Sequence, residues 1–368
     1  SFMKLVFEKT KLLQAINIAS KGVPSKTTLE IQECFLIDAT TDVIKIIGND
    51  LDLGVETIVE GIINERGAIA IDAKSFSDII RKLPDEEIEI ENSEENKVLI
   101  KSGKAKFNLS IKNEEEFSRL PDIDKTEKIV ISQYTLRETI KQVSFSIADN
   151  DANKIMMGIL FEVNGNKLRM AALDGHRIAI RNVELSSDYE NKKIIIPGRT
   201  LNEISKVITG GIEDEVNIYI TSKHILFEFD QNKIVTRLID GEYFDIDRML
   251  SKDYDIRVNI NRLEFLSAIE RANLLSHDSE KNPLTLLIND NTMEIKVVSA
   301  IGSLNESVDI KKDGNDIFIG FNPKYFTDVL RILDSDEVPL YMTNQKAPCY
   351  IKDKEETYVY LLLPLILG

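Results

Sequence analysis

The chain has 368 residues, 43% of them hydrophobic and 29% charged, with a net charge of −16. No apolar run reaches the roughly 18 residues a membrane-spanning helix needs and no secretory signal is apparent, so a cytoplasmic protein is expected. The acidic balance alone argues against a nucleic-acid binder, and two cysteines far apart in sequence, Cys34 and Cys349, argue against a disulfide framework or a Cys-rich metal site.

In chain order, residues 4–7 alternate as a strand does, and residues 9–21 then place Leu12, Leu13, Ile16 and Ala19 on one side of a helix. Strand-like runs follow at 43–47 and 67–71. A second helix covers 76–83, with Phe76, Ile79 and Leu83 on one face, and leads through an acidic turn to a strand at 86–91 and another at 104–111. The order then repeats. A strand at 128–132 precedes a helix at 136–140. A helix at 199–208 carries Leu201, Ile204 and Ile208 on one face, between Pro197-Gly198 and Gly210-Gly211, and strands follow at 213–220 and 225–229. A third round gives a strand at 256–260, a helix at 265–269, a strand at 293–298, a helix at 326–333 with Phe326, Val329 and Leu333, and a strand at 334–341.

Phe76, Leu201 and Phe326 stand 125 residues apart, and three copies at one spacing read as a triplicated module. The modules span 3–125, 127–250 and 252–368, divided at the polar stretches 121–126 and 251–255. Each is long enough for its own core. Two helices among many strands give an α+β class with antiparallel sheets rather than βαβ winding, and no glycine-rich phosphate loop follows any strand. The six helical segments together carry +8, which leaves −24 for the rest of the chain. Helix surfaces favour Lys and Arg in any protein. Repeated in three modules, the same split also suits helices that face a common polyanion.

Residues 168–180 read as two strands joined at Asp174-Gly175, a dipeptide that favours a type I′ hairpin turn. His176 and Arg177 follow directly. An enzyme would use His176 as a general base oriented by Asp174, but neighbours on a tight turn rarely converge on one reacting atom, and no nucleophile setting accompanies them. His224 and His277 lack partners at ligand spacing, and residues 149–153 lack the Gly and distal Glu of a calcium loop, so neither a metal nor a cofactor is expected. Residues 241–250 read as a linker strand that buries Tyr243 and Phe244. The apolar run at 358–367 reads as a last strand ended by Pro364, with Leu365, Ile366 and Leu367 beyond it and partly exposed.

The segment Leu173-Asp-Gly-His-Arg-Ile-Ala179, the 241–250 stretch and the terminal Tyr-Leu-Leu-Leu-Pro-Leu together resemble the bacterial DNA sliding clamp family, the beta subunit of DNA polymerase III. The resemblance runs from Met3 to the end and matches the modules in number, order and length. It implies three similar clamp domains per subunit and a head-to-tail homodimeric ring, with helices lining the hole and sheets outside. The implied function is a non-catalytic one: the ring encircles duplex DNA without sequence preference and tethers the polymerase III alpha subunit, the clamp loader, other polymerases and repair proteins through short peptide motifs. The alternatives from the residues alone are a peptide-binding scaffold of the same fold that never encircles DNA, and an enzyme using His176.

Position by position, the resemblance places a partner-peptide pocket on Met156, Leu173, Gly175, His176, Arg177 and Ile178. Phe244, Arg248, Met249 and Pro348 join it, as do the tail residues Leu361, Leu362, Leu363, Pro364 and Leu365. It places DNA contacts on Lys26, Asn150 and Lys154. It places the subunit seam between Lys104, Lys106, Phe107 and Leu109 of one subunit and Leu274, Leu275 and Glu306 of the other. The chain departs from the family pattern at Phe244, where Pro is usual, and at Leu363 and Leu365, where Met is usual. Lys154 and Ile155 stand where aromatic residues are common, and Glu30 where Pro is.

Overall fold

The computed structural model describes residues 2–94, 96–149, 153–276 and 282–367. Seven helices form among them: α1 (Lys9–Ala19), α2 (Ala73–Lys82), α3 (Gln133–Ser144), α4 (Gly198–Ser205), α5 (Ile246–Met249), α6 (Arg262–Asn273) and α7 (Pro323–Ile332). Side chains cap several starts. Asp72 accepts from the Ser75 N–H at α2, Asn261 from Glu264 at α6, and Asn322 from Lys324 at α7, where Pro323 fits the first turn.

The chain divides into two compact units. One comprises residues 1–136 and 203–238, the other 137–202 and 239–368. The first holds a five-stranded antiparallel sheet and an eight-stranded one. The smaller sheet runs Ile62–Glu65, Lys4–Glu8, Glu87–Glu94, Lys97–Ser102, Ala105–Ser110, so the last of these is an edge strand. Leu5, Phe7, Ile88, Ile90, Val98 and Ile100 from this sheet meet Phe35, Ile37, Ile46 and Ile69 from the larger one, and Leu12 and Ile16 of α1 with Phe76 and Ile80 of α2 complete the core. The eight-stranded sheet joins two sequence modules, because Asn232–Arg237 pairs with Leu53–Val59. A buried bond from Thr57 Oγ1 to Asn232 Oδ1, 2.6 Å, fixes that register.

The second unit holds a ten-stranded sheet. The long strands Gly158–Leu173 and Arg177–Pro197 pair with each other, and the start of the second pairs with Tyr358–Leu362, from Arg177 opposite Leu362 to Arg181 opposite Tyr358. That pairing lays the last strand of the third module beside the hairpin of the second.

Four expectations change. α4 stops at Ser205, so Ile208 is buried from the segment beyond the helix and not from the helix face. Residues 246–249 form a one-turn helix where a strand was expected. The hairpin turns on Gly175 and His176: Asp174 N–H donates to Arg177 O at 3.2 Å, and of the two only Gly175 takes a positive φ, +89°, whereas a type I′ turn needs both. The tail beyond Pro364 is not free of the sheet, because Leu365 N–H donates to Gly320 O at 2.8 Å and forms an isolated bridge there.

Candidate functional site

Strand alternation decides which of the converging residues share a surface. Successive side chains on a strand point to opposite faces. Ile178 and Ile180 therefore face the same side as their cross-strand partners Leu361 and Val359, and they pack with Leu173, Tyr243 and Ile246. Arg177, Leu362 and Tyr360 face the other way and are buried.

On the first face lies a cavity of about 300 Å³. Leu173, Gly175, His176, Arg177 and Ile178 line it from the hairpin, Leu361 and Leu363 from the C-terminal strand and tail, Phe244 and Met249 from the module exit, Met156 from the 3-10 turn Lys154–Met157 and Pro348 from a loop. Residues nearly 200 positions apart thus meet, with the Leu363 N–H donating to His176 O at 2.9 Å. Phe244 stands edge-on to the buried Tyr243, ring centres 5.6 Å apart. Met249 is 42% exposed, which leaves a flexible apolar side chain at the mouth.

Four expected members fall elsewhere. Leu362 lies on the opposite face of the strand, and Pro364 and Leu365 follow the tail to Gly320. Arg248 is 87% exposed and pairs with Asp245 at 3.1 Å, outside the lining. Arg177 lines the cavity but is no rim charge: its side chain is only 3% exposed. Its Nε donates to Asp174 Oδ2 at 3.1 Å, its Nη1 to Asp328 Oδ2 at 2.5 Å and its Nη2 to Phe145 O at 2.9 Å. Burial opposes its charge, but the Tyr360 oxygen and the two carboxylates outweigh burial and hold the guanidinium above its ordinary pKa. Burial, reinforced by Asp174, likewise raises the Tyr325 phenol. Asp174 also accepts from the backbone N–H groups of His176 and Arg177, at 2.9 and 3.1 Å. Its oxygens are occupied by these donors, and the His176 ring stacks on Tyr325 instead, centres 5.7 Å apart. Asp328 and Tyr325 were missed from the sequence. The only available signal, an acidic residue in an amphipathic helix, is common to many solvated faces.

The remaining expected residues are dispersed. Lys26 is exposed in a loop, Lys154 is exposed at the start of a 3-10 turn, and Asn150 lies outside the described residues. Lys104 sits in a turn, and Lys106, Phe107 and Leu109 lie on the edge strand Ala105–Ser110, Phe107 being 38% exposed. Leu274 is 68% exposed at the end of α6, next to the half-buried Leu275. Glu306 is bound within its own chain by Arg271, whose Nε lies 3.0 Å from Oε2. Its strand, Gly302–Asp313, pairs with Thr292–Ser299 along one edge, but only residues 310–313 pair on the other. Among the described residues, 302–308 therefore keep an open edge.

Three family descriptions match the chain end to end: DNA polymerase III beta subunit, N-terminal domain over residues 3–121, central domain over 130–245 and C-terminal domain over 247–365. The beta sliding clamp of Staphylococcus aureus is 30% identical over 374 residues, covering 99% of each chain. A crystal structure from Eubacterium rectale, described as a DNA polymerase III beta subunit, is 53% identical with a TM-score of 0.94, over 99% of this chain and all of that one. The DNA polymerase sliding clamp of Bacillus subtilis is 31% identical with a TM-score of 0.95, covering both chains fully.

Proposed function

Because the chain belongs to the DNA polymerase III beta subunit family, bacterial sliding clamps that confer processivity on the polymerase and catalyse no reaction, we propose that it acts as a head-to-tail homodimeric ring around duplex DNA. Among the described residues, two strand edges at the rims of their sheets support the seam. Ala105–Ser110 exposes Phe107, with Leu109 packed partly on its own core beside it, and residues 302–308 lie in the same module as the exposed Leu274 and the half-buried Leu275. Strand edges at the rim of a sheet demand cover, and a second copy of the chain supplies it. Duplex DNA in the cytoplasm is held through its phosphates, by cations such as Lys26 and Lys154 and by Asn150, without reading sequence.

Partners dock by short peptides in the cavity between the 174–176 hairpin, the module exit and the C-terminal tail. The observation that carries this reading is the pairing of Arg177–Arg181 with Tyr358–Leu362, which brings the hairpin and the C-terminal strand to one apolar hollow that the module exit also lines. A cavity of about 300 Å³ accepts one or two Leu or Phe anchors of an extended segment. The polymerase alpha subunit, the clamp loader and other polymerases and repair proteins share it in turn, and tethering raises the local concentration of whichever is bound.

Fluorescence anisotropy with a labelled Gln-Leu-x-Leu-Phe peptide tests the site. Met249→Glu, a charge placed at the mouth, should weaken binding at least about tenfold, as loss of an interface anchor does. Equal affinity in the variant would move the partner site elsewhere.

A further inference from the structure

The tip of the hairpin has open space above it: a Cβ built on Gly175 meets nothing within 4 Å. Its position is set from beneath. Arg177 reaches away from the cavity into a buried knot and bonds Asp174 of the hairpin, Asp328 of α7 and the carbonyl of Phe145 just beyond α3. Its guanidinium also lies over the Tyr325 ring, 4.9 Å from the centroid, and the other wall contact of that ring is His176. The Tyr360 hydroxyl donates to Tyr325 O at 2.6 Å, which ties α7 to the strand that carries Leu361. Neither Asp328 nor Tyr325 lines the cavity.

The guanidinium fork is planar and directional, so it cannot re-aim toward one partner without leaving the others. Two carboxylates flank a cation that is almost wholly buried, and removing one leaves a buried charge undercompensated. That imbalance falls on the Asp174–Arg177 arm, which closes the hairpin. On the strength of the peptide-site reading, we propose that Asp328 and Tyr325 of α7 are positioning residues for the partner peptide: through Arg177 and His176 they hold the hairpin wall in its binding geometry, although neither touches the ligand.

The labelled pentapeptide is titrated into the full-length wild type, Met249→Glu, Asp328→Asn, Asp328→Glu and Tyr325→Leu, with amide hydrogen exchange followed on each. If the wild type does not bind, or Met249→Glu binds equally well, the peptide site itself is misplaced and the role of α7 falls with it. If that control behaves, Asp328→Asn should weaken binding about tenfold or more, within the span of coupling between linked groups. Exchange should quicken at the His176 and Arg177 amides and not across the unit, and Asp328→Glu should recover most of the affinity. Wild-type affinity in Asp328→Asn, or a uniform rise in exchange, overturns the proposal, because uniform change marks a role in stability alone. Should Asp328→Asn fail to fold, Tyr325→Leu decides by the same two readouts. Independently of any variant, saturating peptide should slow exchange at residues 325–329 of wild-type α7, and unchanged rates there also overturn the proposal.

Discussion

Lys9 reads from the sequence as one of a row of helix cations open to a polyanion. Its ammonium instead donates to the carbonyl oxygens of Leu83 and Arg81, at 2.6 and 3.1 Å, where α2 ends. Carbonyls at that end lack helical partners and favour positive charge. Lys11 is likewise engaged by Glu60 at 2.8 Å, and Lys21 by Glu203 at 3.3 Å. Lys9→Glu should therefore cost about 1–2 kcal/mol of stability, seen as a lower thermal midpoint, whatever it does to DNA retention. An unchanged midpoint would show the cap to be idle. Lys74, 89% exposed on α2, is the better position for a charge reversal that probes DNA alone. Asp38 gives a prediction in pH. Burial works against its charge, but the Thr40 hydroxyl at 2.6 Å and the Arg119 guanidinium at 2.6 Å outweigh it and hold the carboxyl below its ordinary value. A folded-state value below the unfolded one adds stability above about pH 4, and that stability is lost as pH falls through the folded value. Asp38→Asn should cost stability at pH 7 and progressively less below pH 4. A difference between the two melting curves that stays constant with pH would contradict this assignment.

At the scale of elements, α1 runs into the 3-10 turn Ser20–Gly22, which packs against the strand Ile44–Asn49. A Cβ on Gly48 would fall under 3.0 Å from the carbonyl oxygen of Ala19, and neither main chain can yield cheaply. Gly48→Ala should cost about 1–3 kcal/mol, read as a lower denaturant midpoint at constant slope. The tail behaves as an element too. Removing residues 365–368 deletes the Leu365–Gly320 bond and loosens Leu363 at the cavity, so peptide affinity should fall while the mass of the assembly in light scattering stays the same. A change in mass would place the tail in the seam. Much of the strand and helix pattern was legible in the sequence because burial follows its periods: Leu5 and Phe7 alternate inward, and Phe76 and Leu83 of the expected helix face are buried, although Ile80 takes the fully buried place that Ile79 was expected to hold. The end of α4 was not, since Ile208 continues the apolar spacing after the backbone has left the helix. Sheet partners were not legible either. The pairing of 232–237 with 53–59, or of Arg177 with Leu362, is a choice among non-local edges that local pattern does not record. The cavity lining was named from the family resemblance; Leu362 lies outside it because sequence position does not tell strand face, and Arg248 because the helical turn at 246–249 was not foreseen. Asp328 lies 151 residues from Arg177, and no local pattern in the sequence signals their ion pair.

For the whole molecule the question is whether two chains close. Leu274→Ala with Leu275→Ala removes apolar surface at the open end of α6 and should give monomers by light scattering at micromolar concentration, while the wild type gives dimers. A ring then differs from a peptide-binding scaffold of the same fold in one physical respect: its hold on DNA is topological, so DNA ends matter more than affinity. The most direct measurement loads the protein onto nicked circular duplex with a clamp loader, isolates the complex by gel filtration, and then cuts the circle once. Retention on the closed circle at salt concentrations that abolish phosphate contacts, followed by loss on cutting, is the predicted result. Equal retention on cut and uncut DNA, or no retention on either, would contradict a clamp that encircles its substrate.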